Sequence, residues 1–184
     1  MLEINFKPFP ELSTERLSLR QIRKNDEQEI FILRSDKETM QYIPRPVAVS
    51  IEDAGKLIQK MDDLLNKTEA INWAITLRDD PKLIGIIGFY RIAKEHYRGE
   101  VGYIMKPQYR GKGIMHEALI KILNFGFNQI KFHCIEAIVD PENTPSSKLL
   151  ERNGFTKSGY FKEREFFNGK FIDTLYYHLI TTIK

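Results

Sequence analysis

The run Gln108-Tyr109-Arg110-Gly111-Lys112-Gly113 leads directly into Ile114-Met115-His116-Glu117-Ala118-Leu119. Its two glycines stand one residue apart, between an apolar strand pattern and an apolar helical pattern. Glycine admits backbone turns closed to other residues and puts no Cβ against a ligand. The helix that follows opens with N–H groups that have no partner inside it, at a terminus carrying roughly half a positive charge. Such a place suits a phosphate. Arg110 and Lys112 add full positive charges beside it. A cofactor with a pyrophosphate fits this loop.

Spacing excludes two other phosphate motifs. There is no G-x-x-x-x-G-K-S/T, and no G-x-G-x-x-G with an acidic residue about 20 positions on. A G-x-G pair alone also serves an ordinary turn, so the flanking elements carry the argument. Val101-Gly102-Tyr103-Ile104-Met105 reads as a strand. Ile114, Ala118 and Ile122, with Met115, Leu119, Leu123 and Phe127, fall at helical spacing.

These elements belong to a longer order. Leu17 to Ile22 alternates like a strand, Asp26 to Arg34 reads as a short helix, and Ser50 to Asn66 as a longer one. Ser50 caps that helix, with Asp53 at the capping-box position. Strands follow over Asn72 to Leu77, Leu83 to Arg91 and Glu100 to Met105, and then the glycine-loop helix runs to about Asn128. Cys134 to Val139 is a β-rich apolar run, and Ser146 to Arg152 a short helix stopped by Asn153-Gly154. Lys157 to Phe167 and Lys170 to Ile180 flank Asn168-Gly169, a strong hairpin signal. The order predicts an α/β chain with a mixed sheet and helices on both faces.

Composition limits the function classes. The 184 residues suffice for one domain with a substantial core, read as residues 1–184. The net charge of +3 and the lack of any Lys/Arg block give no argument for direct nucleic-acid binding. No stretch of 18 apolar residues predicts a membrane span. The first residues, Met1-Leu2-Glu3-Ile4-Asn5, lack the features of a signal peptide, and the single cysteine, Cys134, forms no internal disulfide. The expectation is a cytoplasmic protein. The four histidines lack metal-ligand spacing, so no metal site is expected. Trp73 is read as core, and Tyr160, Phe161, Phe166, Phe167, Phe171, Tyr176 and Tyr177 mostly as sheet packing, with part of that set available for an acceptor pocket or a homodimer face.

The chain resembles the GNAT superfamily of acetyl-CoA-dependent N-acetyltransferases over essentially its whole length. Gln108-x-x-Gly111-x-Gly113 fits the superfamily's Q/R-x-x-G-x-G/A signature. Thr14-Glu15-Arg16-Leu17-x-Leu19-Arg20, Leu83-Ile84-Gly85-x-Ile87-Gly88 and Glu100-Val101-Gly102-Tyr103 resemble the branch that acetylates the N-terminal residue of ribosomal proteins. So does Asn143-x-x-Ser146-x-x-x-Leu150-Glu151-Arg152-x-Gly154-Phe155. The resemblance implies a mostly antiparallel sheet splayed at its centre and direct transfer of an acetyl group from acetyl-CoA to an amine. It implies that backbone groups of Ile104 and Met105 pair with the pantetheine arm. The loop from Gln108 through Arg110, Gly111, Lys112 and Gly113 to Ile114 would hold the pyrophosphate, and Asn143 would bond the arm.

The chemistry needs a neutral amine and a proton for the departing thiolate. An α-amine has a pKa of about 7.7–8.0, so roughly a tenth is neutral at pH 7, whereas a lysine near 10.4 is almost wholly charged. Glu100 is the candidate base, at the start of the strand that runs toward the cofactor. In many superfamily members a tyrosine seven residues after the asparagine is the acid. Here that position is Leu150, and the ribosomal-protein branch points instead to Ser146. A serine there could also serve as a helix N-cap. The acceptor is read as the N-terminal α-amine of a protein, with a small amine such as a polyamine, aminoglycoside or amino acid as the alternative. A regulatory domain that binds acyl-CoA without turnover is the reading from a different class.

Overall fold

The computed structural model describes residues 1–181, so the last three positions of the predicted domain lie outside the described residues. The chain runs through β1 (Leu12–Ser13), β2 (Leu17–Gln21), α1 (Glu27–Ser35), α2 (Lys37–Met40), α3 (Ile51–Asn66), β3 (Ile71–Leu77), β4 (Asp80–Ala93) and β5 (Arg98–Met105). It continues through α4 (Ile114–Phe125), β6 (Cys134–Val139), α5 (Thr144–Arg152), β7 (Thr156–Phe167) and β8 (Lys170–Ile180). The strands form one eight-stranded sheet in the order β1-β2-β3-β4-β5-β6-β8-β7. Every pairing is antiparallel except β5 with β6.

The strand period of two sorts the apolar residues onto two faces. Trp73 and Ile75 of β3, with Ile87 and Phe89 of β4, pack under Ala118, Leu119 and Ile122 of α4. Ala74 and Ile86 point the other way, against Ile30 and Leu33 of α1 and Ala54 and Ile58 of α3. Each such Leu or Ile contributes about 1.5–3 kcal/mol relative to exposure. The Trp73 indole N–H donates to the Pro10 carbonyl at 2.7 Å, which satisfies its polar atom inside the core. The helix start at Ser50 is as expected: the Ser50 N–H donates to the Asp53 carboxylate at 3.2 Å. Asn168 and Gly169 both have positive φ, 49° and 78°, and close the β7–β8 hairpin.

Among the boundaries that differ from the sequence expectation, two helix ends flank the site. The helix after the glycine loop ends as α at Phe125, and a wider turn covers Gly126–Ile130. A Cβ on Gly126 would sit 2.8 Å from the Phe89 ring, so the helix end meets the core there. The helix α5 begins at Thr144 rather than Ser146, with proline in its first turn, where its missing N–H costs nothing.

The feature that positions the site is a parting of the sheet. β4 follows β5 as far as the Gly85–Met105 pair. On its other side, β5 pairs with β6 only at Arg98, Gly99 and Glu100. Beyond Glu100 the two strands separate, and β6 continues to Val139 beside β8 alone.

Candidate active site

The glycine loop closes the end of this opening. Gly111 and Gly113 have φ of 72° and 74°, a region that costs other residues about 1–2 kcal/mol. The first backbone bond of α4 runs from the Glu117 N–H to the Gly113 carbonyl at 3.0 Å. The N–H groups of Ile114, Met115 and His116 therefore precede the helical ladder and remain as donors. A Cβ on Gly111 would meet nothing within 4 Å, so the loop is open on the side where an anion would rest. Backbone donors at a helix start, with open space in front, suit a pyrophosphate.

Side chains brace this loop. Arg16 donates from Nε to Glu117 at 2.6 Å and from a terminal nitrogen to the Lys112 carbonyl at 3.1 Å. The Arg16 N–H reaches the same carboxylate at 3.0 Å, and the Thr14 hydroxyl also donates to it. Burial pushes the Glu117 carboxyl up, but the hydrogen bonds from Thr14 and Arg16 outweigh it and hold the group below the usual range. The acidic residue in the first turn thus stays ionised, with its charge compensated by Arg16 beside the anion site. Sequence reasoning gave Thr14, Arg16 and Glu117 no role at the loop, because the partners lie about 100 residues apart.

Arg110 is turned differently from the expectation of a free charge beside phosphate. Its guanidinium donates to the Thr39 hydroxyl at 2.7 Å, to Glu38 at 3.3 Å and to the Met105 carbonyl at 3.2 Å. It ties the loop to α2 and to the end of β5. Lys112 is exposed, with its ammonium 5.8 Å from the Tyr109 ring centroid. Gln108 is exposed in the single turn over Pro107–Tyr109.

The register also corrects the expectation for Ile104. The Lys106 N–H donates to the Ile84 carbonyl, and Ile104 stands opposite Ile86. Bonding direction alternates along an antiparallel strand, so Ile104 spends its backbone groups on β4. Tyr103 and Met105 turn theirs toward the opening. Met105 keeps its expected place there, although its carbonyl already accepts from Arg110.

Side chains on β5 alternate as well. Glu100 shares a face with Ile104, which packs on the α1–α3 side. Tyr103 faces the opposite side, against the core under α4. There its hydroxyl lies 2.7 Å from the Ser146 Oγ of α5. Burial pushes the Tyr103 phenol up to about 12, so it stays protonated and can donate. If Tyr103 donates, the Ser146 proton is left free to face the opening. The alternative role for Ser146, a helix cap, belongs instead to Asn143: its side-chain oxygen accepts the Ser146 N–H at 3.2 Å. Tyr103 lay inside a quoted motif, and its place beside Val101 and Met105 in the period of two was the signal that sets its face.

Glu100 is half-buried, and Arg91 donates to its carboxylate at 3.0 Å. Burial is the largest influence and raises its pKa; Arg91 and Arg45 oppose this, while Glu136 and Glu165 add to it. A carboxyl moved toward neutrality is better matched to removing a proton from an amine. Glu100 and Ser146 therefore flank the opening from opposite faces. Cys134 is half-buried, and burial also pushes its thiol up, which does not favour a nucleophile.

On the Glu100 side, a groove of about 260 Å³ lies between α2 with the segment after it and the β7–β8 hairpin. Tyr42, Arg45, Phe167 and Ile172 are among its walls. Glu136 stands opposite Glu100, and four residues further along the same strand direction Asp140, just after β6, lines the groove. No helix among the described residues is long and apolar enough to cross a membrane.

Residues 16–156 match the acetyltransferase (GNAT) domain. An uncharacterized N-acetyltransferase of Bacillus subtilis, YoaA, is 36% identical over 172 residues, covering 94% of this chain and 97% of that protein. A GNAT-family acetyltransferase structure from Bacillus anthracis superposes with a TM-score of 0.83 at 31% identity, over 93% of this chain and 98% of the other. More distant relatives come from Escherichia coli. The ribosomal protein uS5 alanine N-acetyltransferase is 30% identical over 106 residues, 57% of this chain and 53% of its own. Spermidine N(1)-acetyltransferase is 23% identical over 161 residues, 86% and 83% of the two chains. Matched by the family model over residues 16–156 and by relatives over nearly their whole length, this chain belongs to the GNAT acetyltransferases and is an acyltransferase.

Proposed function

We propose that the chain transfers an acetyl group from acetyl-CoA to the N-terminal α-amine of a protein, with a ribosomal protein as the class of acceptor. One observation carries the reading: the opening beyond Glu100 is flanked by a carboxylate of raised pKa on one face and by a serine held by a half-buried tyrosine on the other. Acetyl-CoA supplies a thioester carbon open to attack by an amine. The donors of Gly111 to His116 hold its pyrophosphate, and the backbone of Tyr103 and Met105 offers a strand edge to its amide-rich arm. Glu100 accepts the amine proton. Ser146 Oγ holds a proton toward the departing sulfur, and Tyr103 sets the direction of that hydroxyl.

A single carboxylate suffices for this acceptor. An α-amine near pKa 7.7–8.0 is already about a tenth neutral at pH 7, and a lysine needs several hundred times more help. The likeness to an enzyme of uS5 alanine acetylation supports the same choice. The test is thiol release at pH 7 from acetyl-CoA with matched peptides. One has a free N-terminus and no lysine; the other has a blocked N-terminus and one lysine. Spermidine is the third acceptor. Faster turnover of the first peptide is expected. A preference for the blocked peptide or for spermidine would replace this reading with lysine or polyamine acetylation.

A further inference from the structure

We propose that the groove beside Glu100 selects acceptors whose amine is followed by acidic side chains, so that the preferred substrate is an acidic polypeptide N-terminus. The inference rests on the reading above that an α-amine is acetylated beside Glu100, and it adds that the rest of the acceptor lies along this groove. Three cations line it: Lys37 from α2, Arg45 from the segment after α2, and Lys170 from the start of β8. All three are exposed. Among the described residues none of them is ion-paired with a carboxylate. Arg45 reaches only the Pro44 carbonyl, at 2.7 Å. The one acidic residue on the wall, Asp140, accepts the Glu142 N–H at 2.8 Å and so is partly committed to its own turn.

The placement of the charges argues for a chain rather than a small ion. Lys37 and Arg45 come from one wall, and Lys170 comes from the opposite one. An extended peptide advances about 3.3 Å per residue. With its amine at Glu100, the residues that follow run toward Asp140, so their side chains come alongside the cations that line the groove. Phe167 and Ile172 give its stem apolar wall. A polyamine would bring additional ammonium groups against the same three cations. The groove therefore discriminates between two acceptor types found among the relatives, and it does so partly by repulsion.

The cations are exposed, so the selection should be screened by salt, over a Debye length of about 10 Å at 0.1 M. The experiment uses the full chain and three peptides with N-terminal alanine. Positions two to four carry aspartate, glutamine or arginine, and no lysine is present; spermidine is the fourth acceptor. At low salt, kcat/KM should be about tenfold higher for the aspartate peptide than for the arginine peptide, a difference of about 1.4 kcal/mol. The ratio should shrink in 0.5 M salt and invert in the double variant Lys37→Glu, Lys170→Glu. Lys37→Gln with Lys170→Gln, a milder change, should bring the ratio near one. Equal rates for all three peptides overturn the charge selection and leave N-terminal acetylation standing. A ratio that survives both double variants places the selection elsewhere and overturns the groove. Turnover of spermidine with no peptide acetylated overturns both readings together.

Discussion

At the glycine loop, Arg16 is paired with Glu117, and Arg110 is held by Glu38 and Thr39. Across the groove, Lys37, Arg45 and Lys170 are exposed, and among the described residues none of them is ion-paired with a carboxylate. The first region presents fixed backbone donors behind a scaffold of satisfied charges. The second presents charge that has no ion-pair partner among the described residues. A ligand that never changes can be met by a preformed cradle, which lowers the cost of ordering at binding. An acceptor that distinguishes one family member from another is better met by side chains on a mobile-length loop and a hairpin, where substitutions cost the core nothing. On the reading proposed above, the loop carries the common chemistry and the groove the specificity.

The loop breaks most completely at Gly113. Replacement by aspartate puts an L-residue at φ 74° and a carboxylate against the bound pyrophosphate. Acetyl-CoA affinity measured by calorimetry should fall by more than about a hundredfold, or about 2.7 kcal/mol. Circular dichroism should show the fold retained. Unchanged affinity would remove this loop from the cofactor site.

Next in size is Glu100→Gln, with kcat/KM down by about a hundredfold, a loss within the range for a general base. The base works as the carboxylate, so wild-type activity rises with pH through its pKa. That pKa is raised by burial, so the acid limb should lie above the ordinary carboxylate range. The glutamine variant should lose that limb and keep only the one set by the amine. Stability should move the other way. A carboxyl whose folded pKa is raised loses stability as pH climbs from its unfolded value through its folded one. At pH 7 the variant should therefore melt higher than wild type while turning over more slowly. A lower melting temperature with normal kcat/KM would make Glu100 a structural partner of Arg91.

The same contrast explains what the sequence disclosed. Gly111, Gly113 and the period of α4 are local signals, and they located a positive-φ glycine turn and the start of the helix that follows it. The Asn168-Gly169 turn and the Ser50–Asp53 cap are equally local. The parting of β5 from β6 was available only through family resemblance, because no residue pattern marks where two strands cease to pair. Arg110 had the right charge but the wrong partner, since the positions of Glu38 and Thr39 depend on how α2 packs. Ile104 had the right strand but the wrong parity, and only the register with β4 settles which way its backbone points. The groove was illegible for the same reason: Lys37, Arg45 and Lys170 are far apart in the chain and become neighbours of one space only in the fold.

Arg16→Ala sharpens the loop side with a smaller effect. It removes the donor to Lys112 and leaves Glu117 with less compensation beside the anion site. Hydrogen bonds to charged groups are worth about 1.5–3 kcal/mol, and partial exposure puts Arg16 at the low end, so acetyl-CoA affinity should fall about tenfold. Affinity for S-acetylpantetheine, which has no pyrophosphate, should stay the same. Equal losses for both ligands would mean that Arg16 only supports the fold.

The smallest expected effect tests how the two faces of the opening are joined. Tyr103→Phe keeps the ring and its packing but removes the hydroxyl 2.7 Å from Ser146 Oγ. If Tyr103 orients that hydroxyl, kcat should drop about three- to fivefold while acetyl-CoA affinity holds, a coupling of about 0.5–3 kcal/mol as found for residues in contact. Ser146→Ala should lower kcat further. It should also cost stability, because a buried phenol left without its partner is destabilising by about 1–3 kcal/mol. The decisive variant carries both changes. With no Ser146 hydroxyl to aim, loss of the Tyr103 hydroxyl should have no further effect on kcat, and the stability lost in Ser146→Ala should partly return, since both polar partners are gone. Additive losses in kcat would show that Tyr103 acts on the reaction without Ser146. The proton path on the α4–α5 face would then begin at the tyrosine itself.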